Sequence, residues 1–416
     1  MVPADPSRIR GFFHPVATCC RLWLLCRTKG RILGRLAKLP PYLFSAIDDA
    51  KREALARGVE VVDLGIGDPD RPTPQALVDV MAAAVADPAF HRYPAQKGTG
   101  KLKAAIAAWL KKRHGVQVDP DSQVLILIGS KEGLGHLPLT CVEEGDNTLV
   151  PDLGYPVYSQ ATLLAGGRPR EFALKAENGF LPDLAELEKL ADAHTRLLFL
   201  NYPNNPTGAV AGADFWRAVI PFCAERNIGL VNDAAYLEVV PGGEAALSLL
   251  KVADPGRDRV IELHSLSKMF NMTGWRVAFA AGHPDLVGDL GRVKESMDSG
   301  VFEAVQETAA YGLGEAFDGL LQEVMEVYPR RRRIITDALR QAGIEVFDSR
   351  ATFYVWSRVP TDESSLEYCG RALREIGTVI TPGLGFGSGG EGWFRISLTA
   401  DDEAIAEGAR RLAGWK

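Results

Sequence analysis

The chain has 416 residues, of which 46% are hydrophobic and 24% charged, and a net charge of −6. That length exceeds what one hydrophobic core usually serves, so two domains are expected in a soluble globular protein. The acidic balance gives no support to nucleic-acid or membrane-surface binding as the main role. The three cysteines in the body of the chain, Cys141, Cys223 and Cys369, show no metal-type spacing, so the simplest expectation is a reduced, cytoplasmic protein without a metal.

Residues Met1 to Arg35 carry seven basic residues against one acid, Asp5, around the apolar patch Val16 to Cys26. Arg21 interrupts that patch and no small-residue cleavage site follows, so export is not expected. A misplaced start codon or a disordered tail is the expected explanation, and the fold is expected to begin near Leu36.

From Pro41 the pattern becomes regular. Leu43, Ile47, Ala50 and Ala54 lie at helical spacing in Tyr42 to Arg57, with Gly58 placed to end the helix. A short strand, Val61 to Ile66, leads into Gly67-Asp-Pro-Asp70. Helices are expected over Gln75 to Ala86 and Lys101 to His114, separated by a glycine-bearing loop that presents Tyr93. The apolar run Val124 to Ile128 then meets Gly129-Ser-Lys-Glu-Gly133, and a strand, glycine turn and helix start in that order aim backbone N–H groups at a phosphate. Most strand-to-helix turns contain glycine, so this motif alone is weak.

Alternation continues with strands at Thr148 to Val150, Arg170 to Leu174, Arg196 to Leu200 and Ile228 to Asn232. Helices follow Tyr155-Pro156 and cover Leu181 to Ala193 and Asp214 to Arg226. This rhythm predicts an α/β fold with a mainly parallel sheet covered on both faces, which binds ligands outside the carboxyl ends of its strands. Two strand ends carry unusual residues: Asn201 leads into Asn205-Pro-Thr-Gly208, and Asn232 into Asp233-Ala-Ala-Tyr236. A buried acid must have a partner, and a protonated pyridine nitrogen would serve Asp233. A helix cap for Asp233 and a turn for Asn205 are the structural alternatives.

The run Ile261 to Ser265 continues through Ser267 and Lys268 to Gly274-Trp-Arg276, and a second apolar run begins at Val277. A lysine at the mouth of a sheet, beside an apolar strand, is set for a lowered pKa and attack on a carbonyl, while Ser265 and Arg276 could hold a phosphate between them. Pyridoxal 5'-phosphate needs such an amine for its aldehyde and such partners for its phosphate. The competing reading is a surface lysine at a strand end. Beyond it, helices are expected over Pro284 to Gly291, Glu303 to Leu313 and Glu315 to Ala342. Short strands at Ile344 to Phe347, Thr352 to Trp356, Val379-Ile380 and Trp393 to Leu398, with a helix at Ser365 to Ile376, read as a smaller α+β domain. Arg395 sits in the last strand, where an exposed charge would be unremarkable and a buried one would await a carboxylate.

Taken together, Gly129-Ser-Lys-Glu-Gly133, Gly154-Tyr-Pro156, Asn204-Asn-Pro-Thr-Gly208, Asp233-x-x-Tyr236, Ser265-x-x-Lys268 with Arg276, and Phe394-Arg-Ile-Ser397 make a specific set. From Leu36 to the C-terminus the chain resembles the pyridoxal-phosphate aminotransferases of the aspartate aminotransferase fold (fold type I). Within that family it looks most like the LL-diaminopimelate aminotransferases of lysine biosynthesis, though closely similar alanine aminotransferases share many of these words.

The resemblance implies a large domain with a mostly parallel seven-stranded sheet over 73–310. It also implies a small domain from 36–72 and 311–416, and a homodimer with shared active sites. It assigns the cofactor's covalent attachment to Lys268, its ring nitrogen to Asp233, its phenolic oxygen to Asn205 and Tyr236, and stacking to Tyr155. The phosphate falls to the amides of Ser130 and Lys131, to Ser265 and Arg276, and to Tyr93 of the partner subunit. Arg395, helped by the backbone of Gly67 and by Asn205, would take the carboxylate of an amino-acid or 2-oxo-acid substrate. Lys97, Lys131 and Glu132 are candidates for the distal end of the substrate, with solvated surface positions as the competing reading. A broad amino-acid transaminase, a β-lyase using the same lysine, and a transcription regulator with an aminotransferase-like domain are the alternatives. The last needs a DNA-binding domain that the N-terminal residues do not supply.

Overall fold

The computed structural model describes residues 34–39, 44–240 and 245–415, with the backbone alone for 44–49. The expectations for 1–33 therefore lie outside the described residues. The chain divides into two compact units, Met1–Pro40 and Pro41–Lys416. Of the first, the described part contains a single 3-10 turn, Gly34–Lys38.

Among the described residues of the second unit there are twelve strands: β1 (Val62–Asp63), β2 (Val124–Leu127), β3 (Asn147–Pro151), β4 (Arg168–Phe172), β5 (Thr195–Leu200), β6 (Gly229–Asp233), β7 (Val260–Ser265), β8 (Ala278–Gly282), β9 (Tyr354–Arg358), β10 (Thr378–Val379), β11 (Thr381–Pro382) and β12 (Trp393–Ser397). Seven of them form one sheet in the order β2-β8-β7-β6-β5-β3-β4. All its pairings are parallel except those of β8, which runs against both neighbours. The expected mostly parallel sheet is thus present, and its strands β2, β3, β6, β7 and β8 are buried at every residue, as a sheet covered on both faces requires.

Because β8 is reversed, its start lies at the same edge as the carboxyl ends of its neighbours. That edge therefore gathers Ser130 after β2, Tyr155 after β3, Asn205 after β5, Asp233 at the end of β6, Lys268 after β7 and Arg276 just before β8. A second buried cluster unites β9 and β12 with the helices Tyr328–Gln341, Ser365–Ile376 and Asp402–Ala413. There β11, β12 and β9 form an antiparallel sheet, and β1 pairs in parallel with β10, which brings the segment before Gly67 against the chain's last quarter.

Several expected elements are corrected. The long helix over 315–342 is two, Phe317–Met325 and Tyr328–Gln341. Pro329 lacks an N–H and sits in the first turn of the second helix, the one helical site that needs none. The strand expected at 344–347 is reduced to an isolated bridge between Val346 and Ser357. The helix expected over 181–193 spans only Leu184–Leu190, started by Asp183, whose side chain accepts from the amide of Ala185. No helix among the described residues is long and apolar enough to cross a membrane.

Candidate active site

The sheet edge opens into a cleft of about 590 Å³ whose walls include eleven of the twelve expected site residues: Gly67, Ser130, Lys131, Tyr155, Asn205, Asp233, Tyr236, Ser265, Lys268, Arg276 and Arg395. Tyr93, the twelfth, is 94% exposed and lies outside the cleft of its own chain.

At one end, Gly129 has φ 76°, a conformation that glycine adopts without strain, and it starts the helix Ser130–Cys141. A Cβ on Gly129 would lie 2.0 Å from Nη2 of Arg276, so the guanidinium packs directly over the glycine at the helix N-terminus. Arg276 is itself left-handed, φ 56°, and is tethered by an Nη1 bond of 2.8 Å to the carbonyl of Thr273. Ser265 faces the same corner and caps the short turn Leu266–Met269 through its Oγ, which accepts from the amide of Ser267. Free N–H groups, a helix dipole, a hydroxyl and a guanidinium make an anion cradle.

In the middle, Lys268 donates from Nζ to the carbonyl of Gly67 at 3.1 Å and lies 5.7 Å from the centre of the Phe353 ring. Burial lowers its pKa to about 8, opposed by Asp68 and reinforced by Arg395 and Arg276. Asp233 is 5% exposed. Its carboxylate accepts from the hydroxyl of Tyr158 at 2.9 Å and weakly from the amide of Ala235, with no cation in contact among the described residues. Burial raises its pKa to about 6. A carboxylate so placed is short of a positive partner.

At the other end, Arg395 is 4% exposed in β12. Its donors reach neutral oxygens, Asn205 Oδ1 at 3.0 Å and the carbonyl of Gly65 at 2.8 Å, while its Nε has no partner. The faces of Tyr354 and Phe386 lie 4.1 Å and 4.7 Å from its guanidinium carbon. A buried guanidinium that meets only neutral acceptors is ready for a carboxylate.

Three residues that support this site had no role assigned from the sequence. Tyr158 holds Asp233 from below and lies one helical turn after Tyr155, a spacing that could have revealed it. Asn201 ties two loops together, donating to the carbonyl of Asp233 at 2.6 Å and accepting from the amide of Asn205 at 2.9 Å. The hydroxyl of Tyr354 lies 2.9 Å from that of Tyr236, and no local pattern announces it. Of the candidates for the distal end of the substrate, Lys131 lines the cleft and places Nζ 5.8 Å from the centre of the Tyr155 ring. Glu132 instead turns inward to the amide of Ile128 and to Nζ of Lys294 at 2.7 Å, and Lys97 pairs with Glu295 at 3.1 Å. A helix turns by about 100° per residue, so the neighbours Lys131 and Glu132 leave it in different directions.

The cradle suits an anion, the buried carboxylate of Asp233 a cation and the amine of Lys268 an electrophile. A phosphorylated pyridine aldehyde supplies all three in one molecule, which defines the class as a pyridoxal-5'-phosphate-dependent enzyme. Residues 59–412 match the family model for aminotransferase class I and II. The chain is 46% identical over 379 residues to an LL-diaminopimelate aminotransferase of Syntrophobacter fumaroxidans, covering 91% of this chain and 97% of that one. It is 44% identical over 383 residues to the LL-diaminopimelate aminotransferase of Aquifex aeolicus, covering 92% and 98%. A solved structure of a Thermus thermophilus aspartate aminotransferase single mutant superposes with a TM-score of 0.85 at 26% identity, over 92% of this chain and 99% of that one. The chain belongs to the class I and II aminotransferases.

Proposed function

We propose that the protein transfers the amino group between LL-diaminopimelate and 2-oxoglutarate, as a cytoplasmic homodimer. The observation that carries transamination is the cleft itself, where an amine of lowered pKa lies between an unpaired buried carboxylate and a guanidinium ready for a carboxylate. The choice of diaminopimelate rests on relatives of that name which match over nine-tenths of the chain.

In this reading Arg276, Ser265 and the amides of Ser130 and Lys131 hold the cofactor's phosphate, Tyr155 packs on its ring, and Asp233 holds the proton on the ring nitrogen. When bound, the cofactor supplies an electrophilic aldehyde and a ring that withdraws electrons from the substrate Cα. Arg395 would grip the substrate's α-carboxylate and so fix the orientation of its Cα, which is catalysis by positioning. Lys268 Nζ, freed once the substrate amine takes its place, removes the Cα proton as a general base, and a pKa near 8 leaves part of it neutral at pH 7. Asn205 and Tyr236 meet the cofactor's phenolic oxygen. Tyr93 reaches the phosphate of the partner's site, and 73–310 forms the cofactor-binding domain against a small domain from 36–72 and 311–416.

The deciding experiment is a single-turnover titration of cofactor-loaded protein, following the cofactor's absorbance with LL-diaminopimelate, meso-diaminopimelate, alanine, aspartate and glutamate in turn. Rapid conversion with the LL isomer and with glutamate, and little with alanine, is expected. Preference for alanine would replace diaminopimelate with a general transaminase substrate and leave the proposed residue roles in place.

A further inference from the structure

Tyr354 touches two of the proposed functional groups and has no part in the reading above. It is 2% exposed, at the start of β9, and its side chain enters the cleft between Tyr236 and Arg395. Its hydroxyl lies 2.9 Å from the hydroxyl of Tyr236. Its ring face lies 4.1 Å from the guanidinium carbon of Arg395. The hydroxyl also closes on Gly67, where an added Cβ would meet it at 2.3 Å, so only glycine leaves room for it there.

The placement is enforced from behind. Arg332 donates to four carbonyls of the preceding loop and strand, those of Ser349, Ala351, Thr352 and Tyr354 itself, and the amide of Thr352 is tied to the carbonyl of Val239 at 2.6 Å. A side chain held this way has little freedom to leave either contact.

We infer that Tyr354 is a positioning residue that links the carboxylate clamp to the cofactor-facing hydroxyl, an inference that rests on the transamination reading. Two phenols in contact share one hydrogen bond, and each has a single proton to give. If Tyr236 donates its proton into the cleft, toward the cofactor's phenolic oxygen, it can only accept from Tyr354. Tyr354 therefore donates to Tyr236 and strengthens the bond that Tyr236 makes, as hydrogen bonds in a chain polarise one another. Its ring meanwhile offers Arg395 a cation–π face that leaves the guanidinium's free donor edge for substrate.

The hydroxyl and the ring can be separated experimentally. In Tyr354→Phe the ring stays and the donor to Tyr236 is lost. The cofactor-loaded variant is titrated with pH, following the cofactor's absorbance, and the affinity of glutarate, an unreactive dicarboxylate, is measured on the same protein. A weaker donor at the phenolic oxygen leaves more charge there to hold a proton. The spectral transition is therefore expected to move up by about half a pH unit, with glutarate affinity within about twofold of the parent. Tyr354→Leu removes the ring as well and is expected to weaken glutarate binding about tenfold. A spectral transition that stays in place in Tyr354→Phe, or one that moves together with a loss of glutarate affinity, overturns the inference; the first variant alone decides this if the second does not fold. A parent chain that develops no cofactor absorbance overturns the transamination reading instead, and this inference with it.

Discussion

Lys268 and Asp233 are displaced in opposite senses by one cause, because loss of solvent disfavours the charged form of each: the amine falls to about 8 and the carboxyl rises to about 6. For Lys268 the neutral amine is the nucleophile, so capture of pyridoxal phosphate by the cofactor-free protein should accelerate as pH rises through about 8 and level off above it. Stopped-flow absorbance reads this directly, and a rate that keeps rising to pH 10 would show an ordinary lysine. For Asp233 the folded protein holds its proton more tightly than the unfolded chain, whose carboxyl titrates near 3.8. Its contribution to stability is therefore whole at low pH and is lost as pH rises through about 6, by about 3 kcal/mol. Cofactor-free Asp233→Asn should accordingly melt a few degrees above the cofactor-free parent at pH 8, with the gap closing toward pH 4. The same variant should lose two to four orders of magnitude of transaminase activity. A stability gain equal at both pH values would mean that the carboxylate's charge is not what costs the fold.

At the scale of elements, the turn between β2 and its helix trades stability for access. A methyl on Gly129 meets only the far end of the Arg276 side chain, which can swing away, so Gly129→Ala costs the fold mainly its backbone strain, about 1–3 kcal/mol at φ 76° and ψ 154°, a region nearly reserved for glycine. The larger loss is expected in function: Arg276 leaves the cradle, and the dissociation constant for pyridoxal phosphate should rise tenfold or more by equilibrium dialysis. An unchanged affinity would separate Arg276 from the phosphate. The helix Tyr328–Gln341 carries the opposite kind of feature. Arg331, 3% exposed, makes a bidentate pair with Asp70 at 2.7 and 2.9 Å and reaches Asp402 at 2.8 Å and the carbonyl of Leu398 at 3.0 Å. One guanidinium thus joins the segment after Gly67 to the last helix. Arg331→Met leaves Asp70 facing a buried surface without its cation and should lower unfolding stability by about 3 kcal/mol in denaturant titrations.

At the scale of the whole molecule, one chain holds every proposed contact except Tyr93, whose exposed ring lies outside the active-site cleft of its own chain. In the proposed dimer, the Lys268→Ala and Tyr93→Phe chains are each defective alone. A mixed pair contains one site in which both residues are intact. At limiting cofactor, refolded mixtures should therefore exceed the summed activity of the two variants, whereas simple addition would place Tyr93 outside the partner's site.

The mostly parallel sheet and its alternation with helices were legible in the sequence, as were the residue types that line its edge. Short apolar runs bounded by turns, such as Val124 to Leu127 before Gly129, read as strands buried on both faces, and Lys268, Asp233 and Arg395 are polar exceptions at the ends or within such runs, where burial forces a partner on them. Local signals failed where the decision was not local. The break before Tyr328 turns on a single proline, and the 344–347 segment keeps only one bridge to β9, Val346 opposite Ser357, flanked by the bonds of Phe347 to Trp356 and of Arg358 to Glu345. The roles of Asn201 and Tyr354 depend on groups that folding brings to them from distant stretches of chain, whereas Tyr158 was within reach of the sequence through its spacing from Tyr155. Tyr354 meets Tyr236 from 118 positions away. The tertiary structure alone decided which way Lys131 and Glu132 face, because that depends on Lys294 being buried behind the helix to receive the carboxylate. Covalent order places residue types at strand ends, but the packing of one layer on another fixes which of them share a cleft.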